Sequence, residues 1–253
     1  MAASIKEAWE IDVMRQAGRI VGLGLKLLQE TVRAGISTAE LDAIFEKHVR
    51  GSGATPTFKG YRGFPASLCV SINEEVVHGI PSPSRILKEG DIVSLDAGAT
   101  YKGYVGDAAL TVGVGRISDR AVKLIETTRA SLDAAIAMVG PGARLSRIAS
   151  TIQHYAESRG YSVVKKYVGH GIGTKLHEDP QVPNYVIHPV ESFEFILKPG
   201  HCIAIEPMVN EGTDDVRTLG DDWTVITKDR KLSAHFEHTI AVTKDGCEVL
   251  TRV

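Results

Sequence analysis

Two ten-residue stretches of this chain, LKEGDIVSLD at 87–96 and LKPGHCIAIE at 197–206, carry Leu, Lys and Gly at identical offsets. Each runs a short apolar, strand-like segment into an acid: Asp96 in one, Glu206 in the other. The repeat extends upstream. Gly35, Leu41, Phe45 and Gly53 match Gly142, Ile148, Ile152 and Gly160 at a constant offset of 107 residues. Such a period is far longer than a solenoid unit. It predicts a chain built twice on one plan: two helices, a glycine-rich loop, then strands.

Periodicity fills in that plan. Ile11, Met14, Ala17, Val21, Leu25, Leu28 and Val32 fall at helical spacing, and Gly35 is the expected stop. Ser37 followed by Glu40 is a capping-box signature for a second helix through Leu41, Ile44, Phe45 and Val49. In the second half, Ser118 caps a helix expected to last to the glycines at 140–142, and another carries Ile148, Ile152 and Tyr155. Strand-like runs follow each helix pair. The expected fold is α/β (α+β): a single domain, 1–253, of pseudo-symmetric halves about 1–115 and 116–253, with an antiparallel sheet core and flanking helices.

A length of 253 residues with 43% hydrophobic and 24% charged residues suits a globular core. A net charge of −2 argues against nucleic acid or anionic membrane as partner. No apolar run approaches a membrane span, and the first residues do not read as a secretion signal. Cys69, Cys202 and Cys247 are odd in number and widely spaced, which disfavours a disulfide framework or zinc knuckle and points to the cytoplasm.

The acids at the strand ends carry the chemistry. Asp107 follows Asp96 by eleven residues across the turn signal TYKGY. A turn centred on Tyr101–Lys102 would set the two carboxylates directly opposite each other. Glu206 is the repeat partner of Asp96, and Glu237 opens EHTIAVT as Asp107 opens DAALTV. One acid at a strand end is an ordinary solvated cap. Four in register, facing one centre, repel each other and need cations. Four carboxylates balance two divalent ions, and His170 in the loop VGHGIG is the candidate nitrogen ligand. Oxygen-rich ligation with one imidazole suits manganese, iron(II), cobalt or zinc at a reactive site. HFEH at 235–238 lacks zincin spacing, and GSGATPTFKG is no P-loop.

GYRGFPASLCVSINEEVVHGIP, LDAGATYKGYVGDAALTV, GHGIGTKLHEDPQVPNY, IAIEPMV and WTVITKDRKLSAHFEHTIAVT together identify a resemblance to the type I methionine aminopeptidases, metallopeptidases of the pita-bread fold, over nearly the whole chain. That resemblance makes Asp96, Asp107, His170, Glu206 and Glu237 the metal ligands, with Asp107 and Glu237 bridging. It implies that His177 hydrogen-bonds the scissile peptide, that His78 contacts the peptide or the leaving amine, and that Glu206 accepts a proton. Tyr61, Phe64, Cys69 and Trp223 would form the methionine slot, with Phe58 and Met208 nearby. The implied reaction is removal of initiator methionine ahead of a small second residue, by a water that two ions activate.

Further implications are a monovalent cation near Asn73 and Ser233, and nascent polypeptide N-termini and the ribosome as partners; a monomer is expected because the sequence shows no exposed heptad or long apolar stripe. Leu176 and His235 stand where many relatives carry Phe and Gln. The apolar flanks of Cys69 favour a buried small hydrophobe over a nucleophile. The rival readings are a proline-directed aminopeptidase or prolidase, usually with a large N-terminal domain, and a metal-free translation-associated binding protein, which should have lost ligands and gained basic patches.

Overall fold

The computed structural model describes residues 3–190 and 194–253. Among the described residues four helices lie where the sequence predicts them: α1 (Ala8–Thr31), α2 (Thr38–Gly51), α3 (Asp119–Ile136) and α4 (Leu145–Glu157). Ser37 and Glu40 form the reciprocal cap of α2, each side chain accepting from the other's backbone N–H at 3.2 and 2.9 Å. Helix α1 ends at Thr31, capped at Val32, close to the expected end, whereas α3 ends earlier than its glycine signal suggests. In α3 the closing N–H groups of Met138 and Val139 bond three residues back, to Ala135 and Ile136, which tightens the chain out of the α-helix before Gly140.

The main sheet has nine strands, with every pairing antiparallel. Its middle joins the two repeats: Tyr104–Gly113 pairs with Glu237–Val242, flanked by Ile92–Tyr101 on one side and Cys202–Ile205 on the other. Val93, Leu95, Ala97 and Ala99 turn one face of the first repeat onto α1 and α2, among Val21, Leu28, Leu41 and Phe45. Ile203 and Ile205 do the same in the second repeat, among Leu124, Leu132, Ile148 and Ile152. Side chains alternate faces along a strand, so residues 94, 96, 107 and 109 point away from those helices.

The repeat is visible in the backbone. Gly35 and Gly142 adopt φ of 88° and 82°, Gly90 and Gly200 both 90°. Gly35 N–H donates to Leu87 O at 2.9 Å as Gly142 N–H does to Leu197 O at 2.8 Å. Helix α1 lies unusually close on the sheet at Gly106, where a Cβ would come within 2.5 Å of the Gly18 nitrogen. Among the described residues, no helix is long and apolar enough to cross a membrane.

Candidate metal centre

The hairpin register differs from the one the turn signal suggested. Tyr101 pairs with Tyr104, and Lys102 and Gly103 form a two-residue turn at φ 47° and 84°. That geometry matches the twist of the flanking strands. Asp96 therefore faces Ala109, and Asp107 faces Gly98. The two acids share a face without being directly opposed, which spares them the closest like-charge contact.

The remaining candidate ligands join by register. Glu237 pairs with Ala109, in line with Asp96. Glu206 follows Ile205, whose partner is His238, so the next position faces Glu237. His170 pairs with Ala204, in line with Thr239. The Thr239 hydroxyl accepts from Asp107 N–H at 3.0 Å and donates to its carbonyl at 2.7 Å, fixing that strand. Strand alternation thus explains why an apolar segment ends in an acid. Its apolar residues face the helices, and its acid faces the other side.

His170 Nε2 lies 3.6 Å from Glu206 Oε1 and 3.8 Å from Asp107 Oδ2. Its Nδ1 is 2.9 Å from the Gly171 carbonyl, which can only accept, so Nδ1 holds the proton and Nε2 presents a lone pair to the acids. Asp107, His170 and Glu237 can each offer an atom within one 4.8 Å group, and so can Glu206, His235 and Glu237. Asp96 Oδ1, Asp107 Oδ1 and Glu237 Oε1 are buried without a hydrogen-bond partner among the described residues.

Burial pushes the Asp96 carboxyl up to about 7. Burial and then the neighbouring acids push Asp107, Glu206 and Glu237 well above the carboxylate range. Burial, then the charge of His177, lowers His170 to about 3, which leaves the imidazole neutral with a lone pair to offer. Among the described residues, the ion pairs of this quartet are with imidazoles and not with Lys or Arg. Orphaned carboxylate oxygens around a bare imidazole nitrogen fit divalent cations.

A cavity of about 260 Å³ opens onto the acids, lined also by Phe58, Tyr61, Phe64, Cys69, His78, His177 and Trp223. Every residue predicted for the slot or the peptide contacts is there except Met208. Met208 is fully buried among Val76, Val77, Val164 and Val225, in a different cluster. Tyr61 Oη lies 2.7 Å from His177 Nδ1, and the His177 ring is 4.3 Å from that of His170. His78 meets Tyr167 and Trp223 edge-on at 5.6 and 6.2 Å, and burial followed by the His177 charge lowers it to about 4. Burial, then Asp96, pushes the Cys69 thiol well above its ordinary range, which suits a wall residue and not a thiolate nucleophile.

Three lining residues carry further information. Leu176, which stands where many relatives carry Phe, does face the cavity. Arg62 and Tyr167 line it too; Arg62 lies within the motif GYRGFP, which assigns it no role, and Tyr167 falls outside the motifs that carry the resemblance. Arg62 sits beside the slot residue Tyr61 at φ 49°, a conformation that periodicity does not reveal.

The sequence profile of metallopeptidase family M24 matches residues 12–244. Methionine aminopeptidase 1 of Bacillus subtilis is 54% identical over 244 residues, covering 96% of this chain and 97% of that one. The solved methionine aminopeptidase of Thermotoga maritima superposes with a TM-score of 0.96 at 42% identity, covering 100% of both chains. The prolidase from Pyrococcus horikoshii superposes at 0.79 and 25% identity, over 98% of this chain and 63% of its own.

Proposed function

This chain belongs to metallopeptidase family M24, and from that membership we propose how its residues perform the reaction of a methionine aminopeptidase. It removes N-terminal methionine from polypeptides. The division of labour, the preference for a small second residue and the number of ions are our reading, supported by the convergence of four acids and His170 on one cavity.

Asp96, Asp107, His170, Glu206 and Glu237 would hold two divalent ions, with Asp107 and Glu237 shared. Cobalt, manganese, iron(II) and zinc all suit that donor set. When bound, such ions lower the pKa of water and stabilise negative charge on a carbonyl oxygen. Glu206 takes the proton of the attacking water and returns it to the departing amine. Tyr61 Oη lies 2.7 Å from His177 Nδ1; with Tyr61 as the donor of that bond, the His177 proton sits on Nε2 as a donor to the oxyanion. His78, kept neutral by burial, contacts the peptide or the leaving amine.

Phe64 against Trp223, ring centres 5.1 Å apart, with Tyr61 and Cys69, makes the apolar slot for methionine. One catalytic domain, 1–253, works as a monomer in the cytoplasm on nascent chains leaving the ribosome. A proline-directed activity is disfavoured: identity to the prolidase is less than half that to the Bacillus subtilis enzyme.

The test is a Met-Gly-Ser peptide assay with a chelator and a metal panel, run beside an Xaa-Pro substrate. Chelation abolishes methionine release and a divalent metal restores it. Glu206→Gln keeps the fold and loses turnover. Chelator-insensitive cleavage, or full activity in that variant, refutes the reading.

A further inference from the structure

His235 is 1% exposed, yet neither ring nitrogen has a hydrogen-bond partner among the described residues. Buried polar atoms are ordinarily paired, and the main chain that carries this ring is pinned on both sides of the residue. His235 N–H donates to Thr111 Oγ1 at 2.9 Å, and that hydroxyl donates back to the His235 carbonyl at 2.8 Å. His235 and Glu237 are two residues apart, the spacing that puts extended-chain side chains on one face. The ring nitrogen Nε2 stands 3.8 Å from Glu206 Oε2.

That distance discriminates between two roles. It is too long for a hydrogen bond. Two ligand atoms each about 2.1 Å from a single ion lie about 3 to 4.2 Å apart, depending on the angle at the ion. Glu206, His235 and Glu237 can each contribute an atom within 4.8 Å of the others, so a small closure around an ion brings all three into range.

We propose that His235 is a metal ligand, giving the ion at Glu206 and Glu237 a nitrogen donor in addition to His170. This rests on the metal-centre reading above and deepens it. The centre then holds two imidazoles and four carboxylates, a donor set that favours cobalt, iron(II) or zinc over manganese more strongly than one imidazole would.

The experiment loads the full chain and its His235→Gln variant with two equivalents of cobalt(II). Imidazole ligands are counted by X-ray absorption at the cobalt edge, and cobalt and manganese affinities are measured by calorimetry. The wild type shows two imidazoles per ion pair and the variant one. The variant's cobalt dissociation constant rises about tenfold or more, since loss of even an outer partner costs about 10–100-fold, and its manganese constant rises less. One imidazole in the wild type, or unchanged affinities in the variant, overturns the assignment of His235 alone. A wild type that takes up no cobalt overturns the metal centre and this assignment with it. The wild-type spectrum decides the matter even where the variant does not fold.

Discussion

Tyr61 Oη lies 2.7 Å from Nδ1 of His177, on the side of that ring away from any proton it would give a substrate. With Tyr61 donating, the imidazole keeps its proton on Nε2. Tyr61→Phe frees the tautomer, and kcat/KM for a Met-Gly-Ser peptide should fall about tenfold, the equivalent of one hydrogen bond of about 1.4 kcal/mol. His177→Ala should lose about 10²–10³-fold, the cost of an oxyanion donor. Steady-state kinetics on both variants, with metal affinity measured alongside, checks this. Equal activity of Tyr61→Phe and wild type would remove Tyr61 from the positioning role.

The close seat of α1 on the sheet makes a second prediction. A Cβ at Gly106 would meet the Gly18 nitrogen at 2.5 Å, and backbone cannot step aside as a side-chain end can. Gly106→Ala should cost about 1–3 kcal/mol, lowering the melting temperature by about 2–4 °C per kcal/mol. Gly51, where an added methyl would meet nothing within 4 Å, is the control, and Gly51→Ala should be neutral. Thermal melts by circular dichroism compare the two.

The acid quartet is legible in the sequence because the chain repeats itself. A lone Asp96 means little, but Asp96, Asp107, Glu206 and Glu237 recurring at matched strand positions argue for a shared purpose. Their pairing is not legible in the same way. A shift of the turn from Tyr101–Lys102 to Lys102–Gly103 depends on which residue accepts positive φ, and both Lys102 and Gly103 do. The acids still share a face because the shift preserves strand parity. Met208 resembles a slot residue by its closeness to Glu206 in sequence, yet it pairs with His235 in a separate three-stranded sheet and is buried there. Arg62 and Tyr167 reach the cavity through loop geometry, for which periodicity carries no signal.

The raised carboxyls link metal to stability. Asp96 is lifted to about 7 by burial, above the about 3.9 of an unfolded aspartate. In chelator, the contribution of its neutral form is fully present below the unfolded value and is lost as pH rises through about 7. The Asp96 part of the metal-free protein's melting profile should therefore slope downward from pH 4 to pH 8, against the rise that the lowered imidazoles of His170 and His235 contribute below about pH 6.5. Asp96→Asn should flatten that slope, and added divalent metal should restore stability at the high end. Melts across pH, with and without metal, read all three; a slope identical in Asp96→Asn and wild type would contradict the linkage.

The central claim is that these acids exist to grip a pair of ions. A crystal grown with manganese and measured at an energy where manganese scatters anomalously tests it most directly. The account predicts two anomalous peaks about 3.5–4 Å apart, enclosed by Asp96, Asp107, His170, Glu206 and Glu237. The same five side chains splayed apart, with no anomalous density between them, would contradict it.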